Sequence, residues 1–275
     1  MVVTDLTSDL ALALDLADTA DQITLARAGA TDLRVDRKPD RTPVTDADLA
    51  VEDAIREVLE AQRPQDAILG EERGGPFSAG PGDADGAARS AGRMWLLDPI
   101  DGTKNFLRGV PVWATLIALV EHGKPAVGVI SAPALRRRWW AATGAGAHTR
   151  DPHGGTRAIT VSRVGDLADA YISTTDLGSW AKHHSRESYL SLVDASWESR
   201  AFGDFWQHCL VAEGALDVAA EAIVNPWDVA AAQILVEQAG GRFTDLDGVA
   251  RYDGGSALSS NGLVHDDALA LLRLP

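Results

Sequence analysis

A chain of 275 residues, 45% apolar and 24% charged, is long enough to bury a sizeable core in one large or two modest domains. Its net charge of −15 argues against a nucleic-acid-binding surface, which needs basic patches, and no stretch is long and apolar enough to span a membrane. The single cysteine, Cys209, can form no internal disulfide, and residues 1–10 hold two acids and no basic residue; both point to a reducing cytoplasm rather than to secretion.

Leu6, Leu10, Ala13, Leu14, Ala17, Ala20 and Ile23 recur at near-helical spacing and predict an amphipathic helix over 5–28, stopped at Gly29. Residues 34–44, with Lys38 and two prolines, read as an exposed loop or hairpin. Thr45 is a good N-cap for a second helix over 49–62, and Asp46 and Asp48 suit its dipole. Capping alone accounts for Asp46, less uniquely for Asp48. A short buried strand over 66–72 ends in Glu71-Glu72. Residues 73–92, rich in Gly, Ala, Ser and Pro, read as a mobile surface loop. Strands follow at 94–98, 110–120, 125–131 and 138–142, an antiparallel sheet with two helices packed on it. The run Arg136-Arg137-Arg138 before Trp139-Trp140 reads as a strand with solvated arginines, bordering the site or a subunit contact. Residues 144–156, glycine-rich with Pro152, read as a turn-rich connection. Beyond them strands at 170–174, 197–201 and 216–220 alternate with helices at 185–193, 204–213 and 226–239, the pattern of an α/β domain. Pro226 and Gly240-Gly241 mark the ends of the last helix. The expected division is an α+β half over 1–150 and an α/β half over 151–275, with no internal repeat.

The stretch Trp95-Leu96-Leu97-Asp98-Pro99-Ile100-Asp101-Gly102-Thr103 begins as an apolar strand and then sets two carboxylates three residues apart around a proline. Asp-Pro and Asp-Gly are also ordinary turn signals. Carboxylates at a strand mouth are hard oxygen ligands for Mg²⁺. The Gly102 and Thr103 N–H groups, at a helix start, would cradle a phosphate. Asp48, Glu71, Asp98, Asp101 and Asp228 all fall at predicted element boundaries. Singly each has a plain reading, Asp228 as a first-turn helix acid and Glu71 as a solvated loop residue. Together they describe a carboxylate-rich metal pocket.

Gly70-Glu71-Glu72, the Asp98 to Thr103 turn, and Pro226-Trp227-Asp228-Val229-Ala230-Ala231, in that order, resemble the inositol monophosphatase superfamily of Mg²⁺-dependent, lithium-sensitive phosphatases over nearly the whole chain. The resemblance implies a layered αβαβα sandwich of the inositol monophosphatase and fructose bisphosphatase type, a homodimer, and a small phosphate ester as substrate. It implies two or three Mg²⁺ ions, with Mn²⁺ as a substitute and Li⁺ as an inhibitor. It also implies that Glu71, Asp98, the Ile100 carbonyl, Asp101 and Asp228 are the metal ligands, and that Asp48 and Thr103 position and activate the attacking water.

Lys104 and Gly203-Asp204-Phe205-Trp206-Gln207 depart from the inositol phosphatases and resemble the histidinol-phosphate phosphatases of the superfamily. Their substrate carries an ammonium and an imidazole, which Asp204 and Glu221 would meet while Phe205 or Trp206 stacks on the ring. Asp204 reads also as a helix N-cap, and the two aromatics as core. The alternatives are an inositol-1-phosphatase or broad sugar phosphatase, and a regulatory partner of the transcription machinery. A pure scaffold has no need of five ligands.

Overall fold

The structure, a computed structural model, describes residues 6–39, 42–75 and 92–273. Helix α1 (Leu6–Arg27) is followed by a hairpin of β1 (Val35–Arg37) and β2 (Pro43–Thr45), then by helix α2 (Asp46–Gln62). The first sheet comprises β3 (Ala67–Gly70), β4 (Arg93–Asp101), β5 (Ala114–Glu121), β6 (Lys124–Ala132), β7 (Arg137–Ala142), β8 (Gly146–Arg150) and β9 (Thr156–Ile159), side by side in that order. β3 runs parallel to β4, and every other pair is antiparallel. The short helix α3 (Thr103–Arg108) joins β4 to β5.

The period-two side-chain rule shows why these strands read as apolar runs rather than as a clean alternation. Trp95, Leu97, Ile117, Leu119, Val127 and Val129 pack against Leu12 and Leu16 of α1 and Ile55 and Leu59 of α2. Their neighbours Met94, Leu96, Leu116, Ala118 and Ile130 point the other way. There they meet α6 (Asp204–Ala212) and α7 (Pro226–Gln238).

Helix α7 is buried on every side from Val229 to Val236. It is apolar all round because it lies between two sheets. Gly128 on β6 lets it approach: an added Cβ would sit 2.5 Å from the Ile234 Cγ2 and 2.9 Å from the Ala231 carbonyl.

The second sheet runs β11 (Glu198–Arg200), β10 (Tyr171–Ser173), β12 (Val218–Glu221), β14 (Ala257–Ser260), β13 (Arg242–Thr244). Ala219 and Ala257 face α6 and α7, while Ile172, Val218, Ala220 and Leu258 face α4 (Leu177–His183), α5 (Arg186–Ala195) and α8 (His265–Leu272). The layers are therefore α1/α2, sheet, α6/α7, sheet, α4/α5/α8: the expected αβαβα sandwich.

Several local expectations change. Residues 144–156 hold β8 and the start of β9, which extend the sheet to its edge. The arginine run is not uniformly solvated: Arg138 is buried, hydrogen-bonded to Ser131 at 2.9 Å and ion-paired to Asp18 and Asp21 of α1 at 2.7 Å. The strands β13 and β14 and helices α4 and α8 had no sequence-based expectation. Residues 73–75 form a turn and bridge, and the remainder of the expected 73–92 loop, 76–91, lies outside the described residues. Cys209 is buried in α6, a small apolar core residue. Among the described residues no helix is long and apolar enough to cross a membrane.

Candidate active site

β4 does not run straight into α3. Its pairing with β5 slips between Asp98 and Asp101: Asp98 faces Leu116 and Asp101 faces Ala114, so one extra residue bulges on β4. Pro99 sits in the bulge, where a strand tolerates a residue with no N–H. The Thr115 hydroxyl donates to the Pro99 carbonyl at 2.7 Å and fixes the bend. Gly102 follows at φ 86°, the left-handed region that glycine enters without strain, and a Cβ there would lie 2.9 Å from the Val112 carbonyl. The Thr103 hydroxyl donates to the Ile100 carbonyl at 3.0 Å.

A cleft of about 530 Å³ opens over this bend. Glu71 from the end of β3, Asp98, Ile100, Asp101, Gly102 and Thr103 from the bend, and Asp228 from α7 line it, and so does Asp204. Asp48, also expected there, does not line the cleft; it is buried at the start of α2. It is the third helical residue of a capping box: its Oδ2 accepts the Thr45 N–H at 2.8 Å and the Thr45 hydroxyl. Capping therefore does not account for Asp46, which pairs with Arg27 at 2.9 Å, while Asp48 caps with only one of its two oxygens. Asp228 holds the same position in α7, accepting the Asn225 N–H at 2.7 Å.

The buried Asp98 Oδ1 and Asp48 Oδ1 have no hydrogen-bond partner among the described residues. Burial, then the charges of Glu71, Asp101 and Asp228, pushes the Asp98 carboxyl well above the usual range. Burial, then Asp204 and Asp228, does the same to Asp101. Burial and Glu71 raise Asp228 to about 7, and burial raises Asp48 to about 6. Lys38 from the β1–β2 loop donates to Glu71 and approaches Glu72, each at 2.7 Å. Burial lowers the Lys38 pKa, but the two glutamates outweigh it and the net shift is upward.

Among the described residues no three acidic or imidazole side chains already form a closed ligand cage. The donor set nevertheless fits a hard divalent cation. It is all oxygen, it repels itself, and it leaves a buried carboxylate oxygen unpartnered.

A second hollow of about 210 Å³ shares Asp101, Lys104, Asp204 and Asp228 with the cleft and adds His208 and Glu221. Gly203 takes the cap position of α6 and Asp204 is the first helical residue, at φ 46°. Its carboxylate accepts the Asn105 amide at 3.2 Å, and its N–H donates to the Thr175 hydroxyl at 2.8 Å. Burial raises its pKa, with Lys104 opposing. Asp101 accepts the Phe205 N–H at 2.6 Å, so an acid of the first sheet caps a helix of the second half. Glu221, buried at the end of β12, accepts from Thr175 and Gln207, and burial raises it to about 8. Phe205 is core, beside Trp139, and Trp206 packs edge-on to Phe202. Neither aromatic lines the hollow. Lys38, Asn105, Thr175, Gln207 and His208 were missed as site residues. Of these, Asn105, two residues past the Asp98 to Thr103 turn, and Gln207, in the Gly203 to Gln207 run, carried a local signal.

The sequence profile described as the inositol monophosphatase family matches residues 5–272. The histidinol-phosphatase of Mycobacterium tuberculosis is 54% identical over 96% of this chain and 98% of its own length. That of Streptomyces coelicolor is 46% identical over 98% of each. Among solved structures, an inositol monophosphatase from Zymomonas mobilis superposes with a TM-score of 0.81 at 30% identity, covering 98% of this chain and 100% of its own. Members of the matched family are metal-dependent phosphatases. With its layered sandwich, its bulged Asp98–Asp101 turn and a profile match over nearly its whole length, the chain belongs to the inositol monophosphatase family.

Proposed function

We propose that the protein is a Mg²⁺-dependent histidinol-phosphatase, a phosphomonoesterase that hydrolyses histidinol phosphate to histidinol and phosphate in histidine biosynthesis. The observation that carries the substrate is the second hollow. It adjoins the carboxylate cleft and is walled by Asp204 and Glu221, acids suited to a cationic alcohol. Two relatives named histidinol-phosphatase, similar over nearly the full chain, support the same reading.

Glu71, Asp98, the Ile100 carbonyl, Asp101 and Asp228 would hold Mg²⁺, with residues 1–150 supplying most of the set and 151–275 supplying Asp228 and the specificity acids. When bound, the ion makes water nucleophilic at neutral pH and screens the charge of the phosphate. The Thr103 hydroxyl would orient the attacking water, and the free Asp48 Oδ1 would take its proton. The Gly102 and Thr103 N–H groups receive phosphate oxygens at the start of α3. Asp204, raised by burial, ionises against the substrate ammonium, and Glu221 meets the imidazolium. The reading extends to a cytoplasmic homodimer with two or three Mg²⁺ ions, with Mn²⁺ replacing Mg²⁺ and Li⁺ inhibiting.

The test compares histidinol phosphate, inositol-1-phosphate, fructose-1,6-bisphosphate and glycerol-2-phosphate. Histidinol phosphate should give the highest kcat/KM. Asp204→Asn should lower kcat/KM for it by about 10- to 100-fold, the worth of a charge-assisted hydrogen bond, while leaving glycerol-2-phosphate nearly unchanged. An equal fall for both makes Asp204 structural. A wild-type preference for inositol-1-phosphate overturns the substrate assignment.

A further inference from the structure

The hollow beside the catalytic cleft holds a polar group with no part in the chemistry assigned so far. His208 stands four residues after Asp204 on α6, which puts both on one side of the helix, and both line the hollow. Burial lowers the His208 pKa to about 4, so its ring is neutral at pH 7. Its Nδ1 is hydrogen-bonded to the Ser259 hydroxyl of β14 at 2.8 Å. Its Nε2 makes no hydrogen bond among the described residues.

The same fold shows what a histidine kept for packing looks like. His265 is also neutral by burial, and hydroxyls meet it at both nitrogens, Thr244 at Nε2 at 3.0 Å and Ser260 at Nδ1 at 2.8 Å. It lines neither the cleft nor the hollow. A plain core role for His208 accounts for the Ser259 bond. It does not account for the second nitrogen, which in a buried ring is costly to leave without a partner.

Strand pairing sets the ring relative to Glu221. Ser259 is the cross-strand partner of Ala219, and Ala219 and Glu221 share one face of β12. Ser259, with the His208 ring bonded to it, therefore lies a two-residue step from Glu221, about 7 Å along the strand. Val224 and Val229 give the hollow an apolar side. An imidazole ring asks for this combination, since it carries polar atoms at two separate positions and is apolar on its faces. We propose, on the reading of the protein as a histidinol-phosphatase, that His208 determines specificity for the ring of the leaving alcohol. Its Nε2 hydrogen-bonds one nitrogen of the substrate imidazole while Glu221 meets the other. The Ser259 hydroxyl can accept or donate, so Nε2 can accept from an imidazolium N–H or donate to the bare nitrogen of a neutral ring.

The test reads the ratio of kcat/KM for histidinol phosphate to that for phenylalaninol phosphate, which keeps the ammonium and replaces the imidazole by a ring without nitrogen. General damage to the cleft cancels in this ratio. The wild type should favour histidinol phosphate, and His208→Asn should lower the ratio about tenfold, as loss of one buried hydrogen bond requires. An asparagine amide still reaches Ser259 from the place of Nδ1 and has nothing at the place of Nε2. His208→Gln, whose amide reaches the place of Nε2, should recover most of the ratio, a rescue that a purely structural ring would not show. Should the variants fail to fold, the wild type decides. Histidinol phosphates methylated on one or the other ring nitrogen should both be poorer substrates than the parent, because both nitrogens are engaged. The proposal is overturned if His208→Asn leaves the ratio unchanged, if the Asn and Gln variants lower it alike, or if either methylated isomer matches the parent. A wild type that prefers histidinol phosphate to inositol-1-phosphate, yet not to phenylalaninol phosphate, overturns this proposal alone. A preference for inositol-1-phosphate overturns the histidinol-phosphatase reading as well.

Discussion

Asp48 and Asp228 occupy equivalent places, each the third residue of its helix and each reaching back to the cap residue's N–H. A carboxylate has two oxygens, and capping uses one. For Asp48 the other is buried without a partner, which a structural role alone would make costly. Asp48→Asn keeps an acceptor for the cap and loses the charge. The expected outcome is a Tm close to wild type with kcat lowered about 10²- to 10⁴-fold, the usual range for a lost general base. Asp98→Asn should abolish measurable turnover and, without Mg²⁺ at pH 8, should leave Tm no lower, because it removes a buried charge from a self-repelling group. Near-wild-type turnover of Asp98→Asn at saturating Mg²⁺ would refute its place among the ligands.

At the scale of elements, the site depends on a bulge and on a close approach. The extra residue in β4 turns the chain so that Asp98 and Asp101 both line the cleft. The α7 helix that carries Asp228 is pressed onto the sheet at Gly128. A side chain at Gly128 must push α7 away. Gly128→Val should therefore destabilise by at least about 1–3 kcal/mol, the range for overpacking a well-filled core. It should also weaken activation by Mg²⁺, since Asp228 moves with its helix. Thermal unfolding and an Mg²⁺ titration of activity read the two effects separately, and an unchanged Tm would show that the layers yield more easily than the contact distances indicate.

The whole molecule concentrates buried acids in one region, and its stability must register this. Burial raises Asp48 to about 6, Glu72 and Asp228 to about 7, and Glu221 to about 8, from unfolded values near 4. A raised carboxyl binds more protons folded than unfolded. Its stabilising contribution is therefore complete below the unfolded pKa and is lost as pH rises through the folded one. The metal-free protein should lose Tm between about pH 4 and pH 8. Mg²⁺ binds the charged form, so it should raise Tm more at pH 8 than at pH 5.5. Differential scanning calorimetry checks both, and a metal-free Tm that climbs over that window would contradict the assigned shifts.

Short-range information was legible in the residues themselves. Helix periodicity in α1 and α2, the Thr45 and Pro226 starts, and the apolar runs of β4 to β6 all express local propensity or period, and the Asp98 to Thr103 turn announces its chemistry through carboxylates beside glycine. β8, β9, β13 and β14 were not legible, because short strands take their identity from partners distant in sequence rather than from their own composition. The same reason hid the burial of Arg138, which depends on Asp18 and Asp21 arriving from α1, and left open between substrate stacking and core the place of Phe205, which packs beside Trp139. The residue types of the acidic set were determined by the sequence. That Glu71, Asp98, Asp101 and Asp228 share one cleft was decided only by the tertiary structure, since it requires β3 beside β4 and α7 lodged between two sheets, contacts that no local window contains.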